Sequence, residues 1–291
     1  MRNETSRSAG HVALFRALET ARGHDRVVDD PYAHRFLTGS HRMVAGLARV
    51  PAIGRRIERY LDRRWPAGPR ASAVARTRLI DDLTVEALSR GARQVVLLGA
   101  GYDSRAYRLP GIDRAQVFEV DRPATQATKQ RLVRGAVHPS RRGHVHFVPV
   151  DLITGDLAAE LRRAGFAALE PTVIVWEGVT NYLTAGAVDA TMRLVAASTA
   201  SGSSLIFTYV DRAALDGAFA GVDAWHAVVR DSGEPWTFGL APAQLPAYVA
   251  ARDMRLALDL SARDAADRYL SPLGRHEPAA EFYRIAQAEI L

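Results

Sequence analysis

Apolar and polar positions follow two different rhythms along this chain of 291 residues. Over roughly the first 90 the spacing is helical. Val12, Phe15 and Leu18 recur at helical intervals, with Leu14 beside them. In "DDPYAHRFL" Pro31 stands where a helix can begin, after Asp29 and Asp30 as caps. Ile53, Ile57, Tyr60 and Leu61 fall at i, i+4, i+7 and i+8 and predict an inward helix face. "RRWPAGPR" at 63–70 breaks the pattern, and Ile80, Leu83, Ala87 and Leu88 predict a further helix. Residues 1 to about 10 are polar and read as disordered.

Beyond residue 90 short apolar runs alternate with helical stretches. The runs are 94–98, 115–121 ("AQVFEVD"), 145–151 ("VHFVPVD"), 172–178 ("TVIVWEG") and 203–210 ("SSLIFTYV"). Helical spacing fills 123–134, 156–164 and 186–199 between them. Such alternation predicts parallel βαβ units, an α/β doubly wound, mostly parallel sheet. A helix near 242–252 and strands at 254–260 and 281–288 follow. Residues 211–240 show no period and read as an insertion. The expected organisation is a helical lid over 1–90 and a nucleotide-binding core over 91–291.

Composition narrows the function without naming it. Hydrophobic residues make up 48% and charged residues 24%, so a globular domain is expected. No apolar stretch reaches a membrane span, and the N-terminus lacks a signal-peptide core, so the cytoplasm is the expected location, with no membrane partner. The absence of cysteine excludes disulfides and thiolate sites. The net charge of +6 invites a nucleic-acid partner, but basic residues lie among acids and none is expected. The densest groups, Arg55-Arg56, Arg63-Arg64 and Arg141-Arg142, suit solvated faces. No metal site is expected: His144 and His146 share a face at the start of a strand, the wrong edge of the sheet.

The chemistry sits in "VVLLGAGYDSR". The first strand ends at Gly99-Ala100-Gly101, which lets backbone pass close to a ligand. Asp121 stands twenty residues after Gly101, at the end of the second strand, where a carboxylate can accept from ribose hydroxyls. A turn followed by an acid at this distance indicates an adenosine-containing ligand. NAD wants a third glycine and a pyrophosphate site, but here Ser104 takes that position and Asp103 stands in the turn. S-adenosylmethionine carries a sulfonium and an ammonium, which suit Asp103 and Glu177, and a carboxylate, which suits Arg76 or Arg78. An NAD-dependent oxidoreductase and a non-catalytic nucleotide-binding module remain as alternatives.

These residues also resemble a known family. "RALET", "DPYAHRFL", "ARTRLIDD", "QVVLLGAGYDSRAYRL", "VFEVDRPATQATKQRL", "VPVDL", "WEGVTNYL" and "GEPWTFGL" run in order from about 16 to 240. They are similar to the leucine carboxyl methyltransferase-like S-adenosylmethionine-dependent methyltransferases, including a bacterial branch found in polyketide pathways. The resemblance implies a Rossmann-like class I methyltransferase core, S-adenosylmethionine as cofactor and S-adenosylhomocysteine as product. It implies that Arg76 binds the methionyl carboxylate, Gly99 and Gly101 line the methionyl part, and Asp121 takes the ribose. Asp151 and Leu152 would flank the adenine, Glu177 would take the ammonium, and Tyr182 would lie near the methyl. The expected reaction is O-methylation of a carboxylate on a small acceptor, with a phenolic or enolic hydroxyl as the alternative. For the latter His226, in the insertion, is the candidate base. Trp225, Trp236 and Phe238 either line an aromatic acceptor pocket or form the insertion's own core.

Overall fold

The computed structural model describes residues 7–231, 233 and 235–291. Most of the stretch expected to be disordered, residues 1–6, lies outside the described residues, as does Glu234 of "GEPWTFGL"; from Arg7 the chain is helical. The strands are β1 (Gln94–Leu98), β2 (Gln116–Asp121), β3 (Val145–Pro149), β4 (Thr172–Trp176), β5 (Ser204–Val210), β6 (Met254–Ser261) and β7 (Tyr283–Ile290). They form one seven-stranded sheet in the order β3-β2-β1-β4-β5-β7-β6. The first five are parallel; β7 runs antiparallel to both β5 and β6.

The near-continuous apolar runs have a structural cause. β1, β4 and β5 are buried along their whole length, because both faces of the sheet are covered. Successive side chains alternate between two cores. Val95, Leu97, Val173 and Val175 pack with the N-terminal helices on one face. Val96, Leu98, Ile174 and Trp176 pack on the other with the helices Leu157–Arg163, Ala185–Ser198 and Leu245–Ala250.

Five helices precede the sheet: Arg7–Ala21, Ala33–Phe36, Gly39–Leu47, Pro51–Arg64 and Pro69–Ser89. The last packs against β4 and β5, so it is a layer of the core. Asp30 acts as the expected cap: its Oδ1 accepts from the backbone of Tyr32 and Ala33 at 3.0 and 2.9 Å. The face expected on Pro51–Arg64 is only half realised. Ile57 and Leu61 are partly buried, but Ile53 and Tyr60 point to solvent. The region 211–240 is not featureless: it contains the helices Arg212–Leu215 and Val222–Asp231.

Candidate functional site

Strand order reverses between β1 and β4, so the loops leaving their carboxyl ends diverge and open a crevice. A cavity of about 460 Å³ occupies it. Its floor comes from the turn after β1, the end of β2 and the loops after β3 and β4; the remaining wall comes from helices, from loop residues such as Trp65, Ala67 and Thr237, and from the start of β7. Arg76, Gly99, Gly101, Asp103, Asp121, Asp151, Leu152, Glu177 and Tyr182 all line it. His226 is not among the lining residues. Its ring stands edge-on to Trp236, centroids 5.0 Å apart, with Nε2 buried and unpartnered.

The glycine turn is held from below and closed from above. Gly99 has φ +67°, and a Cβ there would lie 2.3 Å from Val179 Cγ2, so no side chain fits. Gly101 N–H donates to Asp121 Oδ2 at 2.6 Å, and Arg122 N–H donates to Oδ1 at 2.7 Å. These bonds fix the carboxylate at the end of β2, while burial raises its pKa. Beneath the turn Lys129, the only lysine, donates to Ala100 O at 3.3 Å and pairs with buried Glu119 at 2.9 Å. Above it runs the helix Arg7–Ala21, whose Ala9, Val12, Phe15 and Arg16 reach the cavity.

The charged end is organised by Arg105, the residue that follows Ser104 in the turn. Arg105 is buried and holds three carboxylates: Asp81 at 2.7 Å, Asp103 at 2.7 Å and Glu177 at 2.6 Å. Glu177 also accepts from Arg76 Nε at 2.6 Å. Burial alone would push the Glu177 carboxyl up; Arg105 and Arg76 more than offset it and hold it at about 2. Burial likewise opposes ionisation of Asp103, but Arg105 and then Arg16 and Lys129 hold it well below the usual carboxylate range. Both of its oxygens accept from Arg105, one from the backbone N–H at 2.8 Å. Asp103 is therefore ion-paired within the turn, as Glu177 is, while it lines the cavity.

Asp151 Oδ1 accepts from the backbone of Ile153 at 2.8 Å and so shapes the loop after β3. It does not cap the next helix; Asp156 does. Arg78, the alternative to Arg76, lies exposed against Asp82 at 2.9 Å. Of the insertion's aromatics, Trp225 lines the cavity and stacks on Tyr283 at 5.8 Å with the rings 8° apart. Trp236 and Phe238 are not among the lining residues. Trp236 packs on Trp225, His226 and Phe282, and Phe238 is buried in the core on the other face. Tyr283 and His11 also line the cavity and were missed. No local signal could have found Tyr283, which opens a late strand. His11 belongs to a recognisable helix, but helical spacing does not say what the helix covers.

The arrangement suits an adenosine carrying an amino-acid tail. Arg76 and Glu177 place a guanidinium and a carboxylate side by side, matching the two charges of an α-amino acid. Asp121 and Asp151 lie beyond the turn, at the ends of neighbouring strands. Among the described residues no group of three or more His, Asp or Glu side chains is placed to hold a metal ion.

Comparison with known proteins agrees with this geometry. Residues 9–196 match the leucine carboxyl methyltransferase family. A Frankia alni protein with the provisional name S-adenosyl-L-methionine-dependent methyltransferase is 34% identical over 235 residues, covering 79% of each chain. A Streptomyces coelicolor protein with the same provisional name is 35% identical over 237 residues, 78% of this chain and 79% of its own. In fold, the chain is similar to a DUF574 family protein from Streptomyces avermitilis, with a TM-score of 0.59 at 18% identity over 94% of this chain and 100% of that one. It is also similar to a methyltransferase, provisionally so named, from Thermobifida fusca, with a TM-score of 0.57 at 17% identity over 82% and 88% of the two chains. The family sets aside the NAD-dependent and non-catalytic alternatives. The chain belongs to the leucine carboxyl methyltransferase family, and it is a methyltransferase whose cofactor is S-adenosylmethionine.

Proposed function

We propose that the protein transfers the methyl group to a carboxylate oxygen of a small, flat, largely apolar acid, a secondary metabolite of the cytoplasm. The observation that carries this reading is the placing of His226 against Trp236, away from the cavity lining, while Trp225 and Tyr283 stack in the cavity. A carboxylate is ionised at neutral pH, its ordinary pKa being about 4, and needs no base. When bound, S-adenosylmethionine supplies a methyl carbon already activated by its sulfonium.

In this reading the chain's own residues bind, orient and keep water out. Arg76 holds the methionyl carboxylate and Glu177 the ammonium. Arg105 keeps Glu177 ionised and pointed. Asp121 takes the ribose hydroxyls, and Asp151 and Leu152 the adenine. Gly99 and Gly101 let the turn approach the methionyl chain. Tyr182 borders the reacting end, Trp225 and Tyr283 face the acceptor, and residues 7–64 form the lid.

A second reading, methylation of a phenolic or enolic hydroxyl, is favoured by His11, an imidazole that, unlike that of His226, lines the cavity. The test is a single-turnover rate against pH for wild type, His11→Ala and His226→Ala. A profile nearly flat from about pH 6 to 9 in all three supports the carboxylate. A limb titrating near pH 6.5 and lost in His11→Ala overturns it in favour of the hydroxyl.

A further inference from the structure

Two of the three arginine pairs that the site leaves unused, Arg55-Arg56 and Arg63-Arg64, lie on the helix Pro51–Arg64. The helices Gly39–Leu47 and Pro51–Arg64 meet at a three-residue turn. Residues 39–64 contain seven arginines against Glu58 and Asp62, a net +5 of the chain's +6. Both acids are used internally: Glu58 is buried beside Arg22 and Arg70, and Asp62 pairs with buried Arg70 at 2.6 Å. All seven arginines are exposed, and among the described residues none has a carboxylate partner. The charge is not scattered, as the sequence suggested; it is concentrated here.

Apolar side chains stand out at the corner formed by these two helices. Met43 is 63% exposed, Leu47 49%, Val50 51%, Ile53 38% and Tyr60 66%, five of the nine large exposed apolar residues among those described. Met43 and Leu47 are one turn apart on the first helix. On the second, Ile53, Arg56, Tyr60 and Arg64 follow at i, i+3, i+7 and i+11, a single outward stripe. A merely solvated face would carry the arginines without gathering these apolar groups.

We propose that this corner docks on an anionic lipid surface. Met43, Leu47, Val50 and Ile53 enter the boundary between headgroups and acyl chains, and the arginines around them pair with lipid phosphates. Charge favours a lipid surface over a second copy as the occupant: the rest of the chain carries about +1, with no net acidic excess to receive +5. A projecting turn between two helices fits a deformable lipid surface, whereas a protein partner would need a matching groove. Docking here is not spanning, since no described helix is long and apolar enough to cross a membrane. The proposal departs from the expectation of no membrane partner. Pro51–Arg64 runs directly into Trp65, and Trp65, Ala67 and Pro69 line the cavity, so docking brings the cavity wall beside the lipid. The proposal does not depend on which oxygen is methylated.

The experiment is sedimentation of the full chain with vesicles of phosphatidylcholine, or of phosphatidylcholine mixed equally with phosphatidylglycerol. Partition onto the mixed vesicles should exceed that onto neutral ones by at least about tenfold at low salt and fall steeply as sodium chloride rises. Arg55→Glu with Arg56→Glu should lower it by about tenfold or more, and Arg55→Lys with Arg56→Lys should preserve it. Met43→Asp with Leu47→Asp should also lower it, showing that apolar groups enter the surface. All these positions are exposed, and an unchanged affinity for S-adenosylmethionine by calorimetry confirms each fold. Equal partition onto both vesicles, wild-type partition by the aspartate variant, or no binding to mixed vesicles overturns the proposal. The last does so even if the same surface then retains an acidic protein.

Discussion

On the charged side of the cavity Asp81, Asp103 and Glu177 converge on one guanidinium within 2.7 Å; on the aromatic side Trp225 and Tyr283 stack at 5.8 Å, and the two sides meet where the Arg76 guanidinium lies 4.9 Å from the Tyr283 ring centroid. The first side is built by charges whose positions follow from strand ends. Gly99 and Glu177 directly follow β1 and β4, and Asp121 closes β2. The second side is assembled from chain segments far apart: the first helix, residues 65–69, the helix Val222–Asp231 and the start of β7. A recurring cofactor can be met by geometry the sheet imposes, while an acceptor is met by segments free to vary without disturbing it. The charged side should therefore be intolerant and general, the aromatic side tolerant and specific.

The sharpest way to break this contrast is to remove the shared cation. Arg105→Met leaves Asp81, Asp103 and Glu177 buried without it. Stability by urea unfolding should fall by about 3–5 kcal/mol, the usual cost of breaking a buried pair. A loss under about 1 kcal/mol would show that the acids do not depend on Arg105.

Gly99→Ala should come next. The added Cβ meets Val179 Cγ2 at 2.3 Å in a left-handed backbone, so the loss should be about 1–3 kcal/mol, with weakened S-adenosylmethionine binding. Val179→Ala in the same chain should recover part of both. No recovery would mean that backbone strain, not the contact, sets the cost.

Glu177→Gln tests charge with shape nearly kept. S-adenosylmethionine affinity by calorimetry should drop about tenfold while adenosine changes little. Equal losses would make Glu177 structural. The folded carboxyl sits at about 2 against an ordinary 4.5. Its pairing therefore stabilises the fold above about pH 4.5 and is lost as pH falls toward 2. Thermal melts of the wild type should show that acid limb, and Glu177→Gln should flatten it.

The smallest effect on the cofactor belongs to Trp225, which the Tyr283 ring separates from Arg76. Trp225→Leu should leave S-adenosylmethionine affinity within about twofold and raise KM for an aromatic acid three- to tenfold, roughly the worth of one ring pair. If the cofactor suffers as much as the acceptor, the two sides are not separable.

All seven strands were legible in the sequence: β1, β4 and β5 because a strand buried on both faces must be apolar throughout, and the edge strands β3 and β6 because apolar residues still recur along their short runs. The glycine turn was legible because Gly99 combines a left-handed backbone, which favours glycine, with a Cβ position that Val179 already fills. The helix Gly39–Leu47 escaped notice, since much of its apolar surface faces solvent and gives no inward period. The same exposure misled the reading of Pro51–Arg64, where Ile53 and Tyr60 point outward.

The sequence by itself determined what local chemistry determines: strand, turn, and the acid at the end of a strand. It also determined the family, through motifs that run in order along the chain. The tertiary structure alone decided how charges pair and which aromatics meet. Asp103 and Glu177 read as unpaired acids until Arg105 is seen closing on both. Trp225 and Trp236 read alike until the packing of the insertion puts one in the cavity lining and leaves the other among neighbouring rings. Tyr283 has no sequence tie to the glycine turn; it arrives because β7 inserts antiparallel between β5 and β6. The physical reason is range. Backbone conformation and burial pattern act over a few residues, whereas ion pairing and ring contacts depend on where distant segments come to rest.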